Sequence, residues 1–248
     1  MTPPRRLAAA ATLATIALAG CARGPAPDAT FRLACADLAA ATVPEAPHLA
    51  RGRAGWVYHV SELKYVAAGR FWGEDAARAN PLAPADLADP LPAILHFHRE
   101  LEARGLELVV LPIPVRPAIY PEGVLDMAPD DEPGDLMPAQ TELLARLRAE
   151  GVTAIDLTPR FLANRQHEKG PLFAPSDTHW TPAGAVVAAR AVAEELAGRP
   201  WFDDLPKVEL GRRWVAHEHF GGHYRQLRDQ LGEIDGCEID GQRPLVGP

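Results

Sequence analysis

A chain of 248 residues, 47% of them hydrophobic and 23% charged, can bury the core of one domain but not of two large ones. Its net charge of −8 argues against a nucleic-acid partner, because binding to phosphates needs a basic surface. The same charge would repel an acidic polymer at long range, so contact with one requires a local basic lining.

The first twenty residues have the pattern of an export signal. Arg5 and Arg6 precede an Ala/Leu/Ile stretch at 7–19 that is too short to span a bilayer, and Leu-Ala-Gly-Cys at 18–21 is a lipobox. The segment resembles the signals of bacterial lipoprotein precursors, which implies cleavage before Cys21 and lipid chains on that residue. The alternative is an ordinary secretory signal followed by a chance cysteine.

Ala22 follows the lipobox cysteine, where an Asp would be typical of retention at the inner membrane. We therefore expect a periplasmic protein anchored by lipid to the inner leaflet of the outer membrane. Residues 22–30 are rich in Pro, Ala and Gly and predict a tether. The expected division is a signal peptide at 1–20, the lipidated cysteine and tether at 21–30, and one domain at 31–248.

Helices and strands alternate in the predicted domain. The predicted strands are runs of mostly apolar residues. In the predicted helices, apolar residues recur at helical spacing, with a polar residue or proline at the start and glycine or alanine at the end. These elements are a helix from Asp89 to Gly105, a strand at 106–113, a helix at 137–150, a strand at 152–157 and a helix from Thr181 to Ala197. A strand, helix, strand order implies a parallel crossover, so the predicted class is α/β with a parallel central sheet.

Asp177 and His179 stand just before the last of these helices, in the segment Ser-Asp-Thr-His-Trp-Thr-Pro-Ala-Gly-Ala at 176–185. A carboxylate two residues before an imidazole can accept the proton of Nδ1 and leave Nε2 free to take another proton. A loop at the edge of an α/β sheet exposes such a pair. The competing interpretation is a His-Asp hydrogen bond that only caps the helix, and these residues alone do not decide between the two.

Three segments and the two later cysteines together resemble the AlgX/AlgJ-like alginate O-acetyltransferase family. The segment Asp-Thr-His-Trp-Thr-Pro-x-Gly-Ala is similar to the family signature, and its order relative to the other segments matches. The others are Gly-Arg-Ala-Gly-Trp-Val-Tyr at 52–58 with Glu62-Leu63, and Pro-Ile-Pro-Val-Arg-Pro-Ala-Ile-Tyr-Pro-Glu at 112–122. The resemblance covers Cys35 to Cys237 and implies a three-layer SGNH-hydrolase-like domain.

The resemblance also implies roles for individual residues. Asp177 becomes the orienting acid and His179 the general base of a Ser-His-Asp triad, while Arg116 and Tyr120 would lie at the mouth of the site and bind substrate. An arginine at a strand end is alternatively a structural ion-pair group. Trp180 either stacks on a sugar face or packs beneath the following helix, and Trp56 is expected in the core.

The nucleophile is where the chain departs from the family pattern. The family serine lies on a Gly-x-Ser turn beyond the second cysteine, so we expect the present sequence to be incomplete at its C-terminus. Its two serines are Ser61 and Ser176. Neither stands on the sharp turn that exposes a nucleophile, and Ser176 is expected to cap or line the loop. Without such a serine no acyl-enzyme can form.

Cys35 and Cys237 remain once Cys21 is lipidated. In an oxidising compartment such a pair tends to be bridged, which predicts a disulfide, and the two positions also resemble a family disulfide. The alternative is two unrelated thiols. His217, His219 and His223 form a cluster near Glu218, but no familiar ligand spacing is completed, so we expect a polar loop and no metal.

Three functions are consistent with these patterns. The first is an SGNH-type acetyltransferase or acetylesterase that acts on an exopolysaccharide or cell-envelope glycan without a cofactor; the resemblance implies a membrane-bound O-acyltransferase as its partner. The second is a glycan-binding or assembly subunit that lacks catalytic activity. The third is a metal-binding lipoprotein that uses the histidine cluster.

Overall fold

The computed structural model describes residues 27–44, 46–128 and 131–206, together with the backbone of two strands at 211–217 and 241–247. The signal segment, Cys21, Cys237 and most of the histidine cluster lie outside the described residues, and so does the His217 side chain. Predictions that concern them stay predictions. Among the helices that are described, none has the length and apolar character needed to cross a bilayer.

Helices account for most of the regular structure. The α-helices of the described part are α1 (Pro27–Ala40), α2 (Val60–Ala68), α3 (Ala76–Ala79), α4 (Pro90–Glu102), α5 (Arg116–Ile119), α6 (Pro138–Ala149), α7 (Thr158–Ala163), α8 (Pro182–Leu196) and α9 (Pro200–Asp203). Short 3-10 helices lie at Gly73–Asp75, Ala85–Leu87 and Pro121–Gly123.

The described strands form three small sheets. They are β1 (Thr42–Val43), β2 (Ala46–Arg51), β3 (Val57–His59), β4 (Val109–Val110), β5 (Thr153–Ala154), β6 (Gly211–His217) and β7 (Gly241–Gly247). Strands β1, β2 and β3 pair antiparallel in that order, β4 pairs parallel with β5, and β6 pairs antiparallel with β7.

The three predicted helices are confirmed as α4, α6 and α8. The starts of α4 and α8 have a local cause: Asp89 accepts a hydrogen bond from Leu91 N at 3.0 Å, and Thr181 accepts one from Gly184 N at 3.3 Å. Gly151 follows α6 with a φ of 86°, a backbone conformation that glycine adopts without steric cost. Helix α1 begins at Pro27, four residues before the start that was predicted for the folded region.

Strand β4 is shorter than the apolar run predicted. The parallel pairing itself is present, with Val109 opposite Thr153 and Val110 opposite Ala154. The ends of the run are open to solvent, since Leu106 is 56% and Ile113 is 42% exposed. The strand predicted at 106–113 is therefore present only at Val109 and Val110, which form the ladder with β5.

The largest hydrophobic core joins the antiparallel sheet to the helices around the Asp177 loop. It collects side chains of α1, α2, β3, α5, α7 and α8 and of the segment that leads into the loop, among them Phe31, Tyr58, Leu63, Ile119, Phe161, Leu172, Phe173 and Val187. Elements that are far apart in the chain therefore converge on the same side of the molecule as Asp177 and His179.

Candidate active site

Asp177 and His179 are hydrogen-bonded to each other. The imidazole Nδ1 lies 2.8 Å from Asp177 Oδ1, and the backbone N–H of His179 donates to the same oxygen at 2.9 Å. Because an ionised carboxylate can only accept, this contact requires a proton on Nδ1. In the neutral ring Nε2 then carries a lone pair that can take a proton. The predicted pairing is present, while its catalytic role stays a prediction.

The two members of the pair differ in their exposure to solvent. The Asp177 side chain is 11% exposed, whereas the His179 side chain is 67% exposed. Burial holds the carboxylate in one place, and exposure gives a substrate access to the ring. A general base needs a fixed partner and a ring that a substrate can reach.

Backbone hydrogen bonds fold the segment before Asp177 into a tight turn. Asp177 N donates to Ala174 O at 3.3 Å, and Val57 N donates to Pro175 O at 2.9 Å. The second bond ties the turn to the start of β3. On the other side, Thr181 Oγ1 donates to Pro171 O at 2.7 Å, so the chain is anchored both before and after the pair.

Gly184, in the first turn of α8, permits a close approach behind the pair. A Cβ atom at this position would lie 2.5 Å from Leu172 O and 3.0 Å from Trp180 Cβ. Real Cβ contacts are longer than this, so any larger residue would push α8 away from the strand-like pairing of Phe173 with Trp180. This is the physical reason for glycine at this point of the motif.

Arg116 does not lie at an open mouth, which corrects the expectation of a substrate-binding residue there. It is 1% exposed, and its guanidinium forms an ion pair with Glu62 in which Nη2 lies 2.8 Å from Oε2. Nε and the backbone N–H of Arg116 also donate to Glu62 Oε1, both at 3.2 Å. The structural alternative for this arginine is therefore the one that fits.

Tyr120 is also buried, and the same correction applies to it. Its hydroxyl donates to Arg165 O at 2.9 Å and accepts from Leu172 N at 2.8 Å. Burial raises the pKa of Tyr120 to about 12, against the smaller lowering effect of the bond from Leu172. The residue joins α5 to the segment that leads into the Asp177 turn, and it does so from inside the core.

The two tryptophans of the motifs pack as core residues. Trp56 is 7% exposed, as predicted, and its ring stacks on Tyr120 with the centroids 5.0 Å apart. Trp180 is half-buried against the core, with its ring 6.5 Å from that of Phe161. This placement fits the packing alternative for Trp180.

Within the described residues, neither serine is hydrogen-bonded to the imidazole of His179. Ser176 is half-buried in the turn and makes no hydrogen bond there. Ser61 lies at the start of α2, where its Oγ is 2.6 Å from His59 Nδ1 and its backbone N–H donates to the same nitrogen at 3.2 Å. His59 thereby caps the helix, and the described residues identify no nucleophile beside His179.

Cys35 is fully buried in α1. Burial, with a smaller contribution from the nearby charge of Glu62, raises the pKa of its thiol to about 12. Its predicted partner Cys237 lies outside the described residues, so the disulfide stays a prediction. Within the described part of the chain, no group of three or more His, Cys, Asp or Glu side chains is arranged to hold a metal ion.

Glu62 is the residue near the site that the sequence pattern did not identify as important. It belongs to a motif segment, but its carboxylate is matched to an arginine 54 residues later in the chain. The available signal was a single acidic residue in the first turn of α2, and that signal does not name a partner.

Comparisons with known proteins identify the family of the chain. The sequence profile of the family described as "SGNH hydrolase-like domain, acetyltransferase AlgX" matches residues 49–233. The probable alginate O-acetylase AlgJ of Pseudomonas syringae pv. tomato is 29% identical over 161 residues, 65% of this chain and 36% of the relative. The alginate biosynthesis protein AlgX of Pseudomonas aeruginosa is 35% identical over 136 residues, 53% of this chain and 27% of the relative.

A solved structure supports the fold. The O-acetyltransferase domain of Pseudomonas putida AlgJ superposes with a TM-score of 0.51 at 20% identity, and the match covers 80% of this chain and 64% of that domain. At this identity the likeness concerns the fold alone. In the two curated relatives above, the matched region spans 36% and 27% of their length, respectively.

Proposed function

Because this chain belongs to the family of SGNH hydrolase-like domains of the acetyltransferase AlgX, we propose that it transfers acetyl groups to or from hydroxyl groups of a polysaccharide. Asp177 and His179 are its acid-base pair. The observation that carries this proposal is the 2.8 Å contact between a buried carboxylate and an exposed imidazole, at the end of a segment tied to β3.

In this proposal His179 Nε2 accepts the proton of an attacking hydroxyl. Asp177 keeps the proton of the neutral ring on Nδ1 and stabilises the positive charge that the ring acquires when Nε2 is protonated. The ring then returns that proton to the departing oxygen. Each transfer uses the exposed side of the imidazole, where a sugar hydroxyl can approach.

A serine completes the cycle. Its hydroxyl oxygen attacks the carbonyl carbon of an acetyl donor, the bond to the donor oxygen breaks, and acetyl-serine forms. A sugar hydroxyl then attacks the acetyl-serine and releases the serine. Ser61 and Ser176 are the serines of the 248 residues, and neither is hydrogen-bonded to His179 in the described part, so the proposal leaves the identity of this serine to experiment.

The remaining parts of the proposal concern surroundings. Lipid chains on Cys21 hold the domain at the inner leaflet of the outer membrane, facing the periplasm. The acceptor is a polysaccharide, as the names of the alginate-related relatives suggest, and a membrane-bound O-acyltransferase supplies the acetyl groups. The parallel pair of β4 and β5 belongs to the central sheet of a three-layer domain.

Hydrolysis of 4-nitrophenyl acetate tests the catalytic role. We expect His179→Ala to lower the rate about 100- to 10,000-fold, which is the usual contribution of a positioned general base. His96→Ala is the matched control, because His96 is exposed on α4 and any surface imidazole has some esterase activity. Mass spectrometry of protein quenched during turnover would identify the residue that carries the acetyl group.

A glycan-binding subunit without catalysis is the second candidate. The observation that favours it is that, among the described residues, neither serine is hydrogen-bonded to His179. Equal esterase rates for the wild-type protein and the His179→Ala variant would contradict acetyl transfer. If the rates are equal and the wild-type protein still binds O-acetylated polysaccharide, the second candidate is supported.

A further inference from the structure

Arg116 is the point at which three separate segments meet. Its Nη1 donates to Ala174 O at 3.1 Å and to Pro175 O at 3.3 Å, and its Nη2 donates to Val57 O at 3.0 Å. The remaining N–H groups face the Glu62 carboxylate. All five guanidinium N–H donors are thus matched to oxygen acceptors, within a residue that is 1% exposed.

These contacts reach Asp177 through one backbone atom. Ala174 O accepts from Arg116 Nη1 and also from Asp177 N, so the carbonyl that Arg116 holds is the one that closes the turn before Asp177. Pro175 O is shared in the same way between Arg116 and Val57 N. A displacement of the guanidinium therefore displaces the turn and the carboxylate at its end.

Glu62 fixes the orientation of the guanidinium. It accepts from Nε and Nη2 along one edge of the planar group, which directs the other edge toward the carbonyl oxygens of the turn. The Glu62 side chain is 13% exposed, so water competes little for its oxygens. A lysine ammonium at position 116 would have three donors at one point and could not reach Glu62, Val57 O and the turn together.

We propose that Arg116 and Glu62 are a positioning pair that sets the tautomer of His179 by holding the Ala174–Asp177 turn against β3. This inference rests on the proposed function for its catalytic meaning, but the tautomer is a property of the resting protein. Arg116 and Glu62 touch no substrate. They act through Asp177, whose carboxylate keeps the proton of the neutral ring on Nδ1.

Two-bond 1H–15N NMR correlation at a pH where the ring is neutral measures the tautomer directly, and the spectrum of the His179→Ala variant identifies the His179 signals. We expect the Nδ1–H form in the wild-type protein. Arg116→Lys and Glu62→Gln should each increase the fraction of the Nε2–H form, which free imidazole side chains prefer. Glu62→Gln keeps the side-chain volume, so it carries the test if Arg116→Lys fails to fold.

Arg165→Lys is the matched control. Arg165 is 8% exposed and also forms a buried ion pair, with Glu122 at 2.6 Å, but its side chain bonds to no atom of the Ala174–Asp177 turn. We expect this variant to fold and to keep the wild-type tautomer. A wild-type tautomer in folded Arg116→Lys or Glu62→Gln, or an equal shift in Arg165→Lys, would overturn the proposal. The esterase assay tests the proposed function separately, because the NMR result does not depend on turnover.

Discussion

Two buried Arg-Glu pairs lie in the core near Asp177, and they satisfy their polar atoms in opposite ways. Arg116, paired with Glu62, has all five N–H donors matched, and it lies 5.1 Å from the ring centroid of Tyr58, whose buried hydroxyl has no hydrogen-bond partner. Arg165, paired with Glu122, lies 5.4 Å from the ring of Tyr120. Here the tyrosine hydroxyl is matched, but Nε and Nη1 of the arginine are not.

The difference shows which atoms hold the fold at each place. At the Arg116–Glu62 pair, the arginine side chain itself connects β3, α2 and the turn before Asp177. At the Arg165–Glu122 pair, the connection runs instead through the Tyr120 hydroxyl, which bridges Arg165 O and Leu172 N. Similar ion pairs therefore differ in importance because their surrounding backbone groups differ.

Removal of one carboxylate should produce the largest contrast. Glu62→Ala leaves the buried Arg116 charge without its partner, and we expect a loss of about 3–5 kcal/mol in the free energy of unfolding. Glu122→Ala should cost less, because Glu122 accepts one hydrogen bond from Arg165 whereas Glu62 accepts three from Arg116. Urea denaturation of both variants measures the two values, and an equal or reversed order would contradict the comparison.

Removal of the two tyrosine hydroxyls should give the reverse contrast. Tyr120→Phe leaves the Leu172 N–H without an acceptor inside the core, which should cost about 1–3 kcal/mol of stability. Tyr58→Phe removes a buried hydroxyl that has no partner and should be close to neutral. The same urea denaturation experiment compares the two variants. A larger loss of stability for Tyr58→Phe would show that the Tyr58 hydroxyl does form a hydrogen bond in the folded protein.

The dependence of stability on alkaline pH should reveal the raised pKa of Cys35, which lies near Glu62. Its pKa is raised from 9.0 to about 12 in the folded protein. As the pH rises above 9, the unfolded chain loses the thiol proton while the folded chain keeps it, so stability falls between pH 9 and pH 12. Under reducing conditions, Cys35→Ala should remove on the order of 1 kcal/mol of the loss between pH 8 and pH 10.

The control for this experiment is the wild-type protein without reductant. A disulfide between Cys35 and Cys237 would abolish the titration, so the oxidised protein should then resemble the Cys35→Ala variant in its pH dependence. Identical pH dependence of reduced wild-type and Cys35→Ala proteins would refute the raised pKa.

Replacement of the whole Arg165–Glu122 pair should have the smallest effect. We expect the double variant Arg165→Met, Glu122→Leu to be neutral or more stable by about 1 kcal/mol, since it removes two unsatisfied nitrogens and a desolvated charge pair together. Thermal or urea denaturation measures the change. A loss greater than about 2 kcal/mol would show that the ion pair stabilises the fold as strongly as a fully matched one.

Local sequence determined the features whose causes lie within a few residues. Helices α4, α6 and α8 follow from their spacing and end signals, and the spacing of two residues made a contact of Asp177 with His179 possible. Gly184 could also be recognised in the sequence as a motif residue. The reason why it is a glycine, the close approach of Leu172 O, is seen only in the folded chain.

Only the tertiary structure decided the places of Arg116 and Tyr120. Their side chains bond to partners 45 to 59 residues away, and no local pattern states whether a polar group at a strand end will find such partners or remain in water. The length of β4 was decided in the same way, because a strand extends only as far as its neighbour provides hydrogen bonds. The burial of a side chain and the pairing of a strand depend on the rest of the chain. The local sequence pattern could therefore not predict them.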